Sequence, residues 1–301
     1  MPLPDKSRLF IRSRVIQSIR EFFISRGYLE VETPVVIPAP APEANIDAIA
    51  ASGRFLQTSP ELCMKRLLAM GYSSIFQICK CFRNAERGDK HLPEFTMLEW
   101  YQADADYIYL MDECEAMIKH VTSALDKGQL FFQGKGIDIS GTWERITVRD
   151  AFLKYTGSSP EKAIEAGSFD EIMVTEIEPS LDMGRPVFLY DYPASQAALS
   201  RTKKDDPGVA ERFELYMGGL ELANAFSELI DVAEQKKRFL EELHSRAEKG
   251  KTIYPFPDKF INDLEFMPPS AGIAFGIDRF IMLLTDSPSI DDVVAFTPEG
   301  L

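Results

Sequence analysis

Little in this chain would tie it to a membrane, a disulfide scaffold or a polyanion. No apolar run approaches the roughly 18 residues that span a bilayer. The N-terminal stretch is basic but has neither the uninterrupted apolar segment nor the small-residue cleavage site of a secretory signal. A cytoplasmic protein with no membrane role is expected. Four cysteines among 301 residues, Cys63, Cys79, Cys81 and Cys114, do not make a disulfide framework, and Cys79-x-Cys81 lacks the two-residue gap of a zinc knuckle. They are expected to be free thiols in the interior. Basic residues are also short: 33 Lys and Arg against 47 Asp and Glu leave a formal charge of −14. That balance disfavours nucleic acid, which is held mainly by basic contacts to phosphate. There is no internal repeat and no low-complexity tract.

What is present suits one α/β domain over 1–301. The composition is 45% hydrophobic and 27% charged, ordinary for a soluble chain long enough to bury its own core. Leu9, Val15, Ile16, Ile19, Phe22 and Phe23 recur at helical spacing and predict a helix over 6–26, stopped by Gly27. Alternation from Gly27 to Val36 predicts an edge strand broken at Pro34, and the Pro- and Ala-rich run from Pro38 to Ala44 predicts a loop. Strands are expected at 75–83 and 95–101, with a helix over 105–125. The stretch 126–185 reads as mixed, without a legible topology. Further strands are expected at 187–190, 212–217 and 220–230, followed by a polar helix over 232–249 and a strand-turn-helix at 271–284.

Three separated segments carry the chemistry. The first is the helix, glycine and strand ending at Pro34. In the second, Arg83 ends a strand, His91 follows eight residues on, and Glu94-Phe95-Thr96 opens the next strand, leading to Glu99 and Tyr101. The eleven residues between these strands far exceed a tight hairpin and suggest a ligand clamp. The third segment runs Ala271-Gly272-Ile273-Ala274-Phe275-Gly276-Ile277-Asp278-Arg279, a glycine-bearing strand entering a helix.

In-line attack of a carboxylate on the α-phosphorus of ATP asks a protein mainly to position anions and neutralise charge. Arg83 can fork onto the α-phosphate and the substrate carboxylate; Arg279, near a helix start, can grip the terminal phosphates or cover adenine. Gly272 and Gly276 would let backbone approach the nucleotide, or mark a strand bulge. A fourth segment, Glu214 to Leu229, puts Asn224, Phe226 and Glu228 on one strand face as a ligand floor. A Gly218-Gly219 turn could bring Glu214 and Glu221 to one Mg2+ on the phosphates.

These residues resemble the lysine branch of the class II aminoacyl-tRNA synthetases, comprising lysyl-tRNA synthetase and its truncated paralogue, the elongation factor P lysine ligases. The match runs from about Ser7 to Phe296 and includes Thr58-Ser59-Pro60-Glu61 with Met64-Lys65-Arg66. The resemblance implies a central antiparallel sheet flanked by helices, an α/β (α+β) fold, with ATP and Mg2+ as cofactors. It implies that Glu61, next to Ser59, holds the amino group near the reacting carboxylate, and that Glu99, Tyr101 and Glu228 surround the side-chain ammonium, with Asn224, Phe226 and Ala274 in the same pocket. Phe95, Gly276 and Glu221 fall on the nucleotide side, and His91 is expected near the phosphates or adenine, or as a pin for its loop. The family's glutamate two residues after Arg83 is replaced by Ala85, and Glu86 can substitute if the loop shifts.

The first motif starts within about thirty residues of Met1, so no anticodon-binding barrel is expected ahead of it. Ala274 stands where the synthetase has glycine, as in the truncated ligases. The expected activity is therefore formation of lysyl- or (R)-β-lysyl-adenylate and transfer to a lysine of elongation factor P, with tRNA an unlikely partner. A small synthetase charging tRNA or a small molecule, and a non-catalytic regulator, are the alternatives. By the same resemblance, a homodimer is expected through the first motif.

Overall fold

A computed structural model describes residues 6–301 of the chain. Helix α1 (Lys6–Ser25) turns Val15, Ile19, Phe22 and Phe23 inward, as the apolar spacing predicts. It ends on Gly27, whose φ of +81° suits glycine. The expected strand after it is mostly absent. Only β1 (Leu29–Glu30) pairs, in parallel with Ile75 and Phe76; beyond Pro34, Val36–Ile37 joins Ala50–Ala51 and Arg54–Leu56 in a separate small sheet.

Short helix α2 (Glu61–Ala69) leads into β2 (Ser74–Phe82) and β3 (Glu94–Ala103). Helix α3 (Tyr107–Ala124) starts at Asp106, whose carboxylate accepts from the amides of Ile108 and Tyr109, an N-cap that moves the helix start two residues past the expected one. The unread stretch becomes a hairpin (Leu130–Phe132 with Lys135–Ile137), strand β4 (Glu144–Thr147), and helical turns from Val148 to Ser180 around Phe152 and Phe169. Strands β5 (Val187–Pro193), β6 (Val209–Met217) and β7 (Leu220–Ser227) follow, then helices α4 (Val232–Glu248) and α5 (Asp258–Leu264). Strand β8 (Ser270–Gly276) runs directly into helix α6 (Ile277–Leu284).

The eight strands form one sheet in the order β1-β2-β3-β8-β7-β6-β5-β4. The six from β2 to β5 are antiparallel, as expected. The outermost pairs, β1 with β2 and β4 with β5, are parallel, so the sheet is mixed. One face is apolar: Leu98 and Trp100 of β3, Ile273 and Phe275 of β8, and Ala223 and Ala225 of β7 share a core with α1, α3 and α6. Within it, Glu113 of α3 is held by the hydroxyls of Tyr28 and Tyr109 and by the indole N–H of Trp100, which satisfies a carboxylate that burial would otherwise penalise.

A second polar knot ties the three sequence motifs together. Asp278 of α6 is 3% exposed and accepts from Arg12 of α1 at 2.5 Å and from the amide of Thr96 in β3 at 2.6 Å. Arg12 also donates to the Thr96 hydroxyl at 2.6 Å. Removing one member of a buried pair strands the other charge. Asp278→Ala is expected to lower unfolding free energy by about 3 kcal/mol, read from urea denaturation; a loss within the scatter of a surface substitution would disprove this role.

Candidate active site

The other face of the sheet is polar, and its register sets the site. Across five strands Gln77, Glu99, Ala274, Asn224 and Glu214 lie side by side. The next row is Ile75, Tyr101, Gly272, Phe226 and Arg212. Above this floor lies a cavity of about 360 Å³ whose wall includes Ser59, Glu61, Arg83, His91, Glu221 and Arg279, within the size range of small-molecule sites.

Gly272 is where close approach requires glycine. A Cβ there would fall 2.2 Å from the Tyr101 ring and 2.4 Å from Glu228 Oε1, so the tyrosine and the carboxylate meet over bare backbone. Glu99 accepts from Ser59 Oγ at 2.6 Å and Tyr101 Oη at 2.8 Å. Glu228 lies just past the end of β7 rather than within the strand expected over 220–230. Neither of its buried oxygens receives a well-aligned hydrogen bond, although Lys65 Nζ stands 2.5 Å from Oε2. Lys65 is also 2.5 Å from Glu61. Burial, then the charge of Glu61, pushes Glu99 up to about 8. Burial also pushes Glu228 up to about 8, with Lys65 opposing and Glu61 and Glu99 reinforcing. Carboxyls buried in this way favour the neutral form and ionise more readily beside a cation.

At the other end, Arg83 follows the last residue of β2, its guanidinium 5.1 Å from the centre of the Phe95 ring and 3.7 Å from Glu86. Its Nε is buried without a partner. Glu86 thus lines the cavity, while Ala85 takes the left-handed conformation at φ +61°. Arg279 sits in the first turn of α6, donating to the Glu221 carboxylate at 3.2 Å and to His91 Nε2 at 2.7 Å. An arginine can only donate, so that ring nitrogen accepts, and burial with the Arg279 charge holds the His91 pKa down.

Glu221 reaches the cavity through a bulge. The register runs Leu215 to Ala223 and then Tyr216 to Glu221, leaving Leu222 as the extra residue and returning Glu221 to the polar face. The turn beyond uses Gly218 and Gly219, both at positive φ, as a tight hairpin of this hand requires. Glu214, expected beside Glu221 on the cavity, lies beneath it instead. Its oxygens accept from Arg212, Tyr192 and Tyr216, each at 2.7 Å, because Arg212 and the two tyrosines close over it. Burial, followed by the charge of Glu214, nevertheless raises the Glu221 pKa.

Two participants lay outside the sequence reading of the site. Lys65 could have been found from its position four residues after Glu61 on a helix. Glu43, in the Pro- and Ala-rich loop, had no signal. It lines the cavity, and burial followed by the Glu61 charge raises its pKa to about 7. Its loop is clamped by fully buried Arg246 of α4, which donates to the carbonyls of Glu43 and Ile46 and to Asp47.

Raised carboxylate pKa values have a stability consequence. A group that binds its proton more tightly when folded stabilises the fold at low pH, and that gain is lost as pH rises from the unfolded value, roughly 4.3, towards the folded one. The ligand-free protein is therefore expected to lose melting temperature between about pH 5 and pH 8. Glu99→Gln should flatten that slope in differential scanning calorimetry, and an equally steep slope in the variant would refute the assignment.

No helix among the described residues is long and apolar enough to cross a membrane. Residues 5–299 match the family described as tRNA synthetases class II (D, K and N). The lysine–tRNA ligase of Magnetococcus marinus is 39% identical over 95% of this chain and 62% of its own length. That of Moorella thermoacetica is 37% identical over 97% and 65%. The elongation factor P–(R)-β-lysine ligase of Hamiltonella defensa is 37% identical over 99% of this chain and 97% of its own length. The chain thus spans slightly less than two thirds of those two tRNA ligases, and nearly all of the third protein. A mixed sheet with a polar face, an arginine at the end of β2 and another at the head of α6 are carried on a sequence matched almost end to end, and the chain belongs to the class II tRNA synthetases of the D, K and N group.

Proposed function

We propose that this chain is an ATP-dependent ligase that activates lysine or (R)-β-lysine as the adenylate and transfers it to a lysine side chain of elongation factor P. The observation that carries the amino-acid part is the acidic floor. Glu99 and Glu228 are each 1% exposed, and carboxylates so buried ionise only beside a cation or enough hydrogen-bond donors. A lysine-like side chain extended over Gly272 supplies that cation, with Glu61 and Ser59 receiving the amino group nearer the carboxylate.

Arg83 at the opposite end neutralises the substrate carboxylate and the α-phosphate, so that the carboxylate oxygen can bond to phosphorus while pyrophosphate leaves. Arg279 and His91 hold the nucleotide's phosphate or adenine end, stacked near Phe95 and Gly276. In the second step the acceptor amine bonds to the acyl carbon and AMP departs. Glu221, with Glu214 behind it, would hold magnesium. Among the described residues no group of three or more His, Cys, Asp or Glu could hold a metal; Glu221 alone lines the cavity, while Glu214 is taken by its three donors, which fits an ion that takes one carboxylate and otherwise phosphate and water. When bound it supplies positive charge to the phosphates.

The protein acceptor rests on the relative matched over 97% of its length and on Ala274, whose methyl group narrows the wall between Glu99 and Asn224. The lysine–tRNA ligases among the relatives favour a second reading, aminoacylation of tRNA. Phe10, Ile24 and Leu29 are exposed on the first motif, which supports a homodimer.

Amino-acid-dependent pyrophosphate exchange with both lysine isomers, followed by mass spectrometry of elongation factor P, tests the reading. An added lysyl mass on the factor is the expected result; robust charging of tRNA without it would transfer the assignment to the second reading. Ala274→Gly is expected to move the preference about tenfold towards α-lysine, and an unchanged ratio between isomers would remove Ala274 from the selection.

A further inference from the structure

Lys65 belongs to the acidic floor yet comes from the protein. It lies on α2 one turn after Glu61 and is 2% exposed, its Nζ 2.5 Å from both Glu61 and Glu228. The ring of Phe226 lies 5.1 Å away, a distance at which an aromatic face attracts a cation. So enclosed, the ammonium is held away from solvent between two carboxylates. The other ionisable groups around it are Glu99 and Tyr101 on β3, with Glu43 on the loop above coupled to Glu61. Arg83 and Arg212 act on Glu43 from farther off.

The charges can be counted. Glu61, Glu99 and Glu228 contribute three negative charges when ionised, and Lys65 cancels one. Two remain in this cluster, equal to the two ammonium groups of a diamino acid, while Glu43 on the loop above feels Arg83, which also meets the substrate's own carboxylate. We infer that Lys65 is a resident counter-ion that sets the open charge of the Glu61, Glu99 and Glu228 cluster at two, and so makes it selective for doubly cationic amino acids. This deepens the proposed function and rests on it. Lys65 is a positioning residue, acting on the substrate through Glu61 and Glu228.

The inference has an electrostatic signature that a purely packing role lacks. Without Lys65, three carboxylates would share one dry site with no resident cation, and Glu228 would hold its proton to higher pH. The acid limb of kcat/KM for lysine-dependent pyrophosphate exchange is expected to rise by about one pH unit or more in Lys65→Gln. Lys65→Arg, which keeps the charge, should leave it near the wild-type position. An unshifted limb in Lys65→Gln, with only kcat reduced, would overturn the inference. Lys65→Met, which preserves the length of the stem, replaces the glutamine variant if that protein does not fold.

The wild-type protein offers an independent measure. With Glu99 and Glu228 both at about 8 and Glu43 at about 7, binding of lysine at pH 7 should expel about two protons, and no more than about two and a half, read by calorimetry in buffers of different ionisation enthalpy. Release of about three, meaning that Lys65 surrenders its charge, or of none, would also overturn the inference. Failure of the wild-type protein to bind or activate either lysine isomer would instead defeat the proposed function, and this inference with it. Normal wild-type activity with an unshifted variant defeats the role of Lys65 alone.

Discussion

A carboxylate withdrawn from water must find a cation, a set of donors or a proton, and much of this architecture follows from putting several of them on one face of a sheet. Glu99, Glu228 and Glu214 all project from the central strands or their ends, and each is answered differently. Glu214 has three donors. Glu99 has two hydroxyls. Glu228 has a lysine ammonium in ion-pair range. The degree of satisfaction separates them: the fully bonded Glu214 lies beneath the cavity, Glu99 lines it, and Glu228 is sealed behind it against Lys65.

Such a floor needs a rigid support, and the opposite face provides it. There Trp100, Phe275 and their neighbours pack against three helices, so alternation along each strand makes one surface for cohesion and the other for recognition. The Arg12, Thr96 and Asp278 knot fastens the ends of that arrangement. It joins α1, β3 and α6, the three elements that carry the sequence motifs, through residues that do not themselves bear the proposed reaction.

The sequence was informative where periodicity and local chemistry decide the outcome. Helix α1, the long loop after Arg83, the β8 to α6 passage and the facing of Asn224 with Phe226 all follow from spacing and turn residues. It was less informative where pairing depends on distant partners. The strand expected after Gly27 shrank to two residues because its neighbours lie in different sheets, and no local pattern records that. Glu221 faces the cavity only because Leu222 is bulged, which alternation alone would have misplaced. Glu214 was expected to share a metal with Glu221 on the cavity, but it lies beneath the cavity, bonded to three partners from β5 and β6 that no local pattern records. Lys65 was visible as a residue next to a motif, and its charge acquires meaning only when Glu228, far along the chain, closes over it. The helical stretch between β4 and β5 has its own apolar cluster and little periodicity long enough to read.

The clamp of Arg246 on the Glu43 loop has a consequence in time. Hydrogen bonds from this one guanidinium reach back some two hundred positions, to a segment that leaves the ribosome early. Contacts of such separation form late, since a long loop must close before they can reward it. Until α4 has emerged and docked, the Glu43 loop has no fastening, and β8, which joins β3 to β7, leaves the ribosome later still, so the sheet and the wall above it are completed together, at the end of synthesis.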